Sequence, residues 1–341
     1  MGIISQTLAN KRDDATNAAN TAMPPVPGLP PGVSELRILS FQALGTQCQV
    51  QYACAADERA RTFEASVVAW VKAFEARYSR FRSDSLVGRI NAAAGRAWVE
   101  IDPEMEQMLA LCDTVHFMSQ GILDATALPV LRLWNYKAAP KRLPTDAEIE
   151  AAKRLVGWRK VQRAPGRIFL PEPGMELDFG GFGKEWAVDV VARIAKEHGI
   201  PSALVDFGHD IASVGLPPGR PAWHVGLEDP LRPGAFSESI AMPPGRGVAS
   251  SGDYLRHFTF EGRRYGHIVD PRTGRPVANG CLQVTVIADS CLKAGLLSTA
   301  CFILGLEKGL AHIQSTPGAE GMIIMNTSRG QTRGFWQYLV R

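Results

Sequence analysis

Hydrophobic positions along this chain repeat with two periods, and the switches between them predict most of its elements. Ile38, Phe41, Cys48, Val50 and Tyr52 alternate around Leu44-Gly45-Thr46, the pattern of a strand hairpin. Phe63, Val67, Trp70, Val71 and Phe74 recur at helical spacing, so residues 57–78 read as an amphipathic helix. A second helix is predicted over 103–119 behind Asp102-Pro103, and a third over 145–156, where Thr145 and Glu148 form a capping box. A fourth covers 184–198 and stops at Gly199. Strands are expected at 202–206 and 223–227, and then, after Pro243-Pro244, at 247–250, 257–260 and 264–269 as an antiparallel meander. A strand at 282–288 feeds a helix over 290–304, and 321–326 with 334–339 read as a closing hairpin. Helices and strands mix without strict βαβ alternation, so the class is α+β.

Composition adds boundaries. Residues 1–36 are small and polar and then rich in proline (Pro24, Pro25, Pro27, Pro30, Pro31), which reads as a disordered or extended arm before one domain spanning 37–341. With 45% hydrophobic and 21% charged residues, that domain can bury a sizeable core. A net charge of +3 without a dense basic run argues against nucleic acid or an acidic membrane surface as partner. No apolar run approaches the roughly 20 residues of a membrane span. Residues 1–12 lack a continuous apolar core and a cleavage site, so the sequence as written reads as cytoplasmic, with the periplasm as the alternative if its start is misassigned. The six cysteines show no CxxC or zinc-finger spacing and read as buried thiols in a reducing compartment.

Candidate chemistry sits in a few short segments. Leu177-Asp178-Phe179-Gly180-Gly181-Phe182-Gly183-Lys184 reads as a glycine-rich turn from strand to helix, able to bring an anion to a helix start, or simply a tight turn. His267 is either a general base or phosphate partner, or a histidine bonded within the sheet. Asp270-Pro271-Arg272-Thr273-Gly274 is a good turn sequence in itself. Asp124 reads most simply as a helix N-cap, and the Thr299 hydroxyl as bonded back to the preceding helical turn. None of these decides a function alone.

Their order does. Leu44-Gly45-Thr46, Phe81-Arg82-Ser83-Asp84-Ser85 with Arg89-Ile90-Asn91, Leu123-Asp124-Ala125-Thr126 with Leu133-Trp134, Leu177-Asp178-Phe179-Gly180-Gly181, Ser251-Gly252-Asp253-Tyr254 and His267-Ile268-Val269-Asp270-Pro271 are followed by Val284-Thr285-Val286-Ile287-Ala288 and Thr299. From about residue 37 onward this series resembles the FAD:protein FMN transferases, the ApbE-like flavin transferases. The resemblance implies mixed, largely antiparallel sheets with packed helices. It also implies FAD as substrate, Mg2+ as cofactor, and a client flavoprotein whose Ser or Thr receives FMN through a phosphoester as AMP leaves. Phosphoryl transfer of this kind needs positioning and charge neutralisation above all. Carried over position by position, FAD is held by Leu44, Phe81, Ile122, Leu123, Asp124, Asp178, Lys184 and Val269. The metal meets the Gly181 carbonyl and the Thr299 hydroxyl, and His267 is the catalytic histidine.

Three positions depart from the family pattern. Gly295 stands where a metal-binding aspartate is usual, His209 where a second glycine is usual, and Glu185 where a glycine follows the lysine. Position 295 lies one helical turn from Thr299, on the same face. Its missing carboxylate predicts weakened magnesium binding and impaired transfer. The alternatives are a flavin-binding protein that has lost the chemistry and an FAD pyrophosphatase that uses water as acceptor.

Overall fold

Leu44 and Gly45 both take left-handed backbone angles (φ 53° and 71°), which folds Arg37–Ala43 (β1) back onto Thr46–Ala53 (β2) in register. In the computed structural model, which describes residues 3–4, 35–135, 137, 142–232 and 234–340, this hairpin is one end of an eight-stranded sheet. The remaining strands are Ser202–Phe207 (β3), Asp210–Val214 (β4), Gly247–Gly252 (β5), Cys281–Ala288 (β6), Glu320–Met325 (β7) and Arg329–Gln331 (β8). They lie side by side in chain order, each antiparallel to the next. All connections therefore leave and re-enter between neighbouring strands, and the helices are insertions in that meander.

The helices are Asp57–Tyr78 (α1), Leu86–Ala92 (α2), Pro103–Met118 (α3), Leu128–Leu133 (α4), Asp146–Arg154 (α5), Gly183–Glu197 (α6), Cys291–Leu304 (α7) and Leu306–Gln314 (α8). Asp102 caps α3, and Thr145 with Glu148 forms the capping box of α5. Gly199, at φ 65°, closes α6. One face of the sheet packs on α1, α6 and α7 through Val50, Tyr52, Val205, Val284 and Val286. The alternate positions Leu204, Ile211, Val248 and Ile287 face a smaller sheet of Trp223–Glu228 and Phe236–Met242. Burial on both faces explains why every residue of β6 is inaccessible. Gly247 permits the close approach of β5 to the start of α7, since a Cβ there would lie 2.1 Å from the Cys291 amide nitrogen. All six cysteines are free and buried. No helix among the described residues is long and apolar enough to cross a membrane.

Several expectations are corrected. The 264–269 strand is split: Arg263–Gly266 pairs with His257–Phe260, while Val269–Asp270 pairs with Arg275–Pro276. The ladder changes partner at His267, whose N–H still bonds Arg256 while the Ile268 carbonyl accepts from Val277. The 257–266 hairpin thus stands outside the main sheet instead of continuing its meander. The closing hairpin uses Arg329–Gln331, and Phe335–Tyr338 is a 3-10 turn that buries Phe335 under the smaller sheet. Residues 176–178 form no strand before the glycine-rich turn. The proline-rich arm lies outside the described residues except for Ile3–Ile4, which pairs with Gly226 and Leu227.

Candidate active site

The glycine-rich turn is held by side chains from two other motifs. Asn91 of α2 donates to the Leu177 carbonyl at 3.0 Å and accepts the Leu177 N–H at 2.7 Å. The Asp178 N–H donates to the Ala125 carbonyl, so the 122–126 turn and Asp178 are neighbours. Asp178 accepts from the Gly180 N–H at 3.0 Å and lies 3.4 Å from the Arg80 guanidinium. Burial pushes its carboxyl up, and Arg80 opposes that shift. Arg80 also covers the ring of Phe81, which is 81% exposed.

Asp124 does not cap α4, whose N-cap is Ala127. Its carboxylate accepts from the Thr126 N–H and hydroxyl and from the Trp158 N–H, and so braces this turn. Ile122 is buried and Leu123 donates to the Ser119 hydroxyl, so this turn offers a ligand mainly its backbone. Leu44 donates its N–H to Glu75 of α1 at 3.0 Å.

Helix α6 begins at Gly183 with no side-chain cap from Phe182, and its first N–H, that of Gly183, is bonded to the Phe179 carbonyl at 2.6 Å. Lys184, in that first turn, is ion-paired with buried Asp210 and donates to the Phe207 carbonyl at 3.2 Å. This places it against the β3–β4 turn, which carries His209. The His209 backbone is left-handed (φ 75°), and its N–H donates to Asp206 at 2.7 Å. Burial lowers the imidazole to about 4 and raises the Asp206 carboxyl to about 6. His209→Gly should stabilise the protein by about 1 kcal/mol, because an L side chain pays for this conformation and glycine does not. A urea midpoint that stays put or falls would show that the imidazole holds the turn.

On α7 the hydroxyls form a chain. Ser251 of β5 bonds Thr299 at 2.9 Å and Ser298 at 2.8 Å, and Ser298 donates to the Gly295 carbonyl at 3.0 Å. The back-bond expected of Thr299 is thus made by Ser298. Asp189 of α6 accepts the N–H groups of Cys291 and Leu292 and so locks the two helices together. Burial pushes its carboxyl up to about 6. At their crossing Glu185 lies directly over Gly295, where a Cβ would sit 2.5 Å from the Glu185 Cγ.

His267 is half-buried, with Nδ1 3.2 Å from the Arg256 carbonyl. Burial, helped by the Arg256 charge, lowers its imidazole to about 4. Arg256 also depresses His209, so one cation acts on both imidazoles. Asp253 pairs with Arg264 and fills the space that Gly266 leaves open. Val269 is set apart: its side chain packs with Trp134, Ile149 and Phe258, and its backbone pairs with Pro276. Asp270 accepts from the Arg272 and Gly274 N–H groups in the turn its sequence suggested. A cavity of about 530 Å³ beside Trp134, Tyr265 and Arg275 includes none of Lys184, His267 and Thr299.

The start of α6 therefore gathers three groups: Arg80, Phe81 and Asp178; Lys184, Asp210 and His209; and Glu185, Gly295, Thr299 and Ser251. Asp210, Arg80 and Asp189 were not legible as site residues, since a lone charged residue carries no spacing signal. The start of α6 thus lies against the hydroxyl-bearing α7, both on one antiparallel sheet of an α+β protein. The ApbE family model matches residues 44–323, and the chain belongs to the ApbE family. An FAD:protein FMN transferase of Vibrio cholerae is 29% identical over 68% of this chain and 70% of its own length. One of Salmonella typhimurium is 27% identical over 86% and 85%. The crystal structure of the Pseudomonas stutzeri flavinyl transferase ApbE, apo form, superposes with a TM-score of 0.79 at 28% identity, covering 91% of this chain and 98% of the other.

Proposed function

We propose that this protein is an FAD:protein FMN transferase. It splits the FAD pyrophosphate and joins FMN to a client Ser or Thr. The observation that carries this reading is the contact of Glu185 with Gly295, which brings the start of α6 beside the Thr299 helix. Lys184 and the α6 N–H groups hold the diphosphate, and Phe81 with the 122–124 turn receives the remainder of FAD. In the transfer, the client oxygen forms a new bond to the FMN phosphorus and the bond to the AMP phosphate breaks. His267 is the group assigned to take the hydroxyl proton, on the resemblance of its segment to the family; burial lowers its imidazole to about 4, so at pH 7 it is neutral and a weak base.

The Gly181 carbonyl and Thr299 hydroxyl fit a hard cation: Gly181 is exposed with open space beside it, and Thr299 belongs to a hydroxyl cluster. Among the described residues no three His, Cys, Asp or Glu side chains converge, so Mg2+ bound here would take many of its oxygens from substrate phosphate and water. When bound, the ion supplies charge neutralisation at the diphosphate.

Incubation with FAD, Mg2+ and peptides bearing Ser or Thr, read by mass spectrometry and AMP release, tests the proposal. FMN-modified peptide with AMP is expected. FMN and AMP without modified peptide would make it a pyrophosphatase, and intact bound FAD a flavin-binding protein.

A further inference from the structure

We infer that Glu185 of α6 supplies the carboxylate that Gly295 of α7 lacks, so that the cation site beside Thr299 is rebuilt from a different helix. A side chain at 295 would have to displace the Glu185 side chain: a Cβ at 295 would lie 2.5 Å from the Glu185 Cγ, 3.1 Å from its Cδ and 3.1 Å from its Oε1. The space a residue at 295 would use is thus taken by a carboxylate entering from α6. Two departures that look independent along the chain, an acid where glycine is usual and glycine where an acid is usual, are one exchange across a helix crossing.

One oxygen of the carboxylate is unmatched as it stands. Oε2 is sealed from solvent and has no hydrogen-bond partner among the described residues. The adjacent cation, Lys184, is committed to Asp210. The other acid on that side, Asp189, is committed to the α7 N–H groups and repels Glu185. A buried carboxylate oxygen without a donor calls for a cation or a proton. One turn along α7 from Gly295, on the same face, lies the Thr299 hydroxyl.

This inference rests on the proposed FAD and metal chemistry, and its test separates the two. FAD binding in EDTA, followed by flavin fluorescence, checks the first; Mn2+ binding to the FAD-loaded protein, followed by EPR, checks the second. Glu185→Gln, nearly isosteric, should weaken Mn2+ about tenfold or more while FAD affinity in EDTA changes less than about threefold. Gly295→Asp alone should lose stability and gain no Mn2+ affinity, because Glu185 occupies the space. Glu185→Gly/Gly295→Asp should recover Mn2+ affinity. Mn2+ binding by Glu185→Gln equal to the parent protein would overturn the exchange, as would a folded double variant that binds no Mn2+. Failure of the parent protein to bind FAD at all would instead overturn the proposed function.

Discussion

Replacing His267 with alanine should lower FAD cleavage by about 10²- to 10⁴-fold, the usual worth of a positioned general base. FAD affinity should stay within about threefold, since none of the groups proposed to hold FAD depends on the imidazole. Fluorescence titration alongside AMP release checks both. Loss of binding and thermal stability together would assign His267 to holding the hairpin, through its contact with the Arg256 carbonyl. The pH profile adds a second reading. The folded imidazole titrates at about 4, below its ordinary 6.5, so the neutral base persists well below pH 6 and the acid limb of cleavage should lie near 4. An acid limb near 6.5 would point to a different, solvated group.

Stability over the same window should change less than activity. For His267 and His209 the folded pKa is lowered, so their contribution is complete above 6.5 and is lost as pH falls through about 4. Asp189 and Asp206 are raised from 3.8 to about 6, so their contribution is complete below 3.8 and is lost as pH rises through about 6. The two pairs oppose each other between pH 4 and 6.

Lys184→Met should cost both stability and ligand. Asp210 is buried and paired with Lys184, and a buried acid stripped of its partner costs roughly 3–5 kcal/mol. In a protein of this size that is a fall in Tm of about 4–7 °C. Lys184→Met/Asp210→Asn should regain most of that loss, because the charge left behind is gone. FAD affinity should remain low in both variants, since neither brings a cation to the diphosphate. Calorimetry and fluorescence titration on the single and double variants decide the matter. Recovery of FAD affinity in the double variant would show that Lys184 serves the fold alone.

By itself the sequence determined the elements whose signals are local. Apolar period and caps placed α1, α3, α5 and α6 to within a residue or two, and Leu44-Gly45 dictated the first hairpin through its left-handed turn. The order of short motifs determined the family. Elements with weak local signals were missed: Asp210–Val214 was assigned no element, being a short run directly after the Gly208-His209 turn, and Arg329–Gln331 is too short to show alternation. Only the tertiary structure decided the site. The sequence shows Gly295 as a loss and Glu185 as an unrelated substitution, 110 residues apart. Their relation exists only because Asp189 locks α6 onto α7 and sets which side chain fills the gap. Contacts across a helix crossing leave no periodic trace in the chain, since the spacing that joins them is set by packing and not by the backbone repeat.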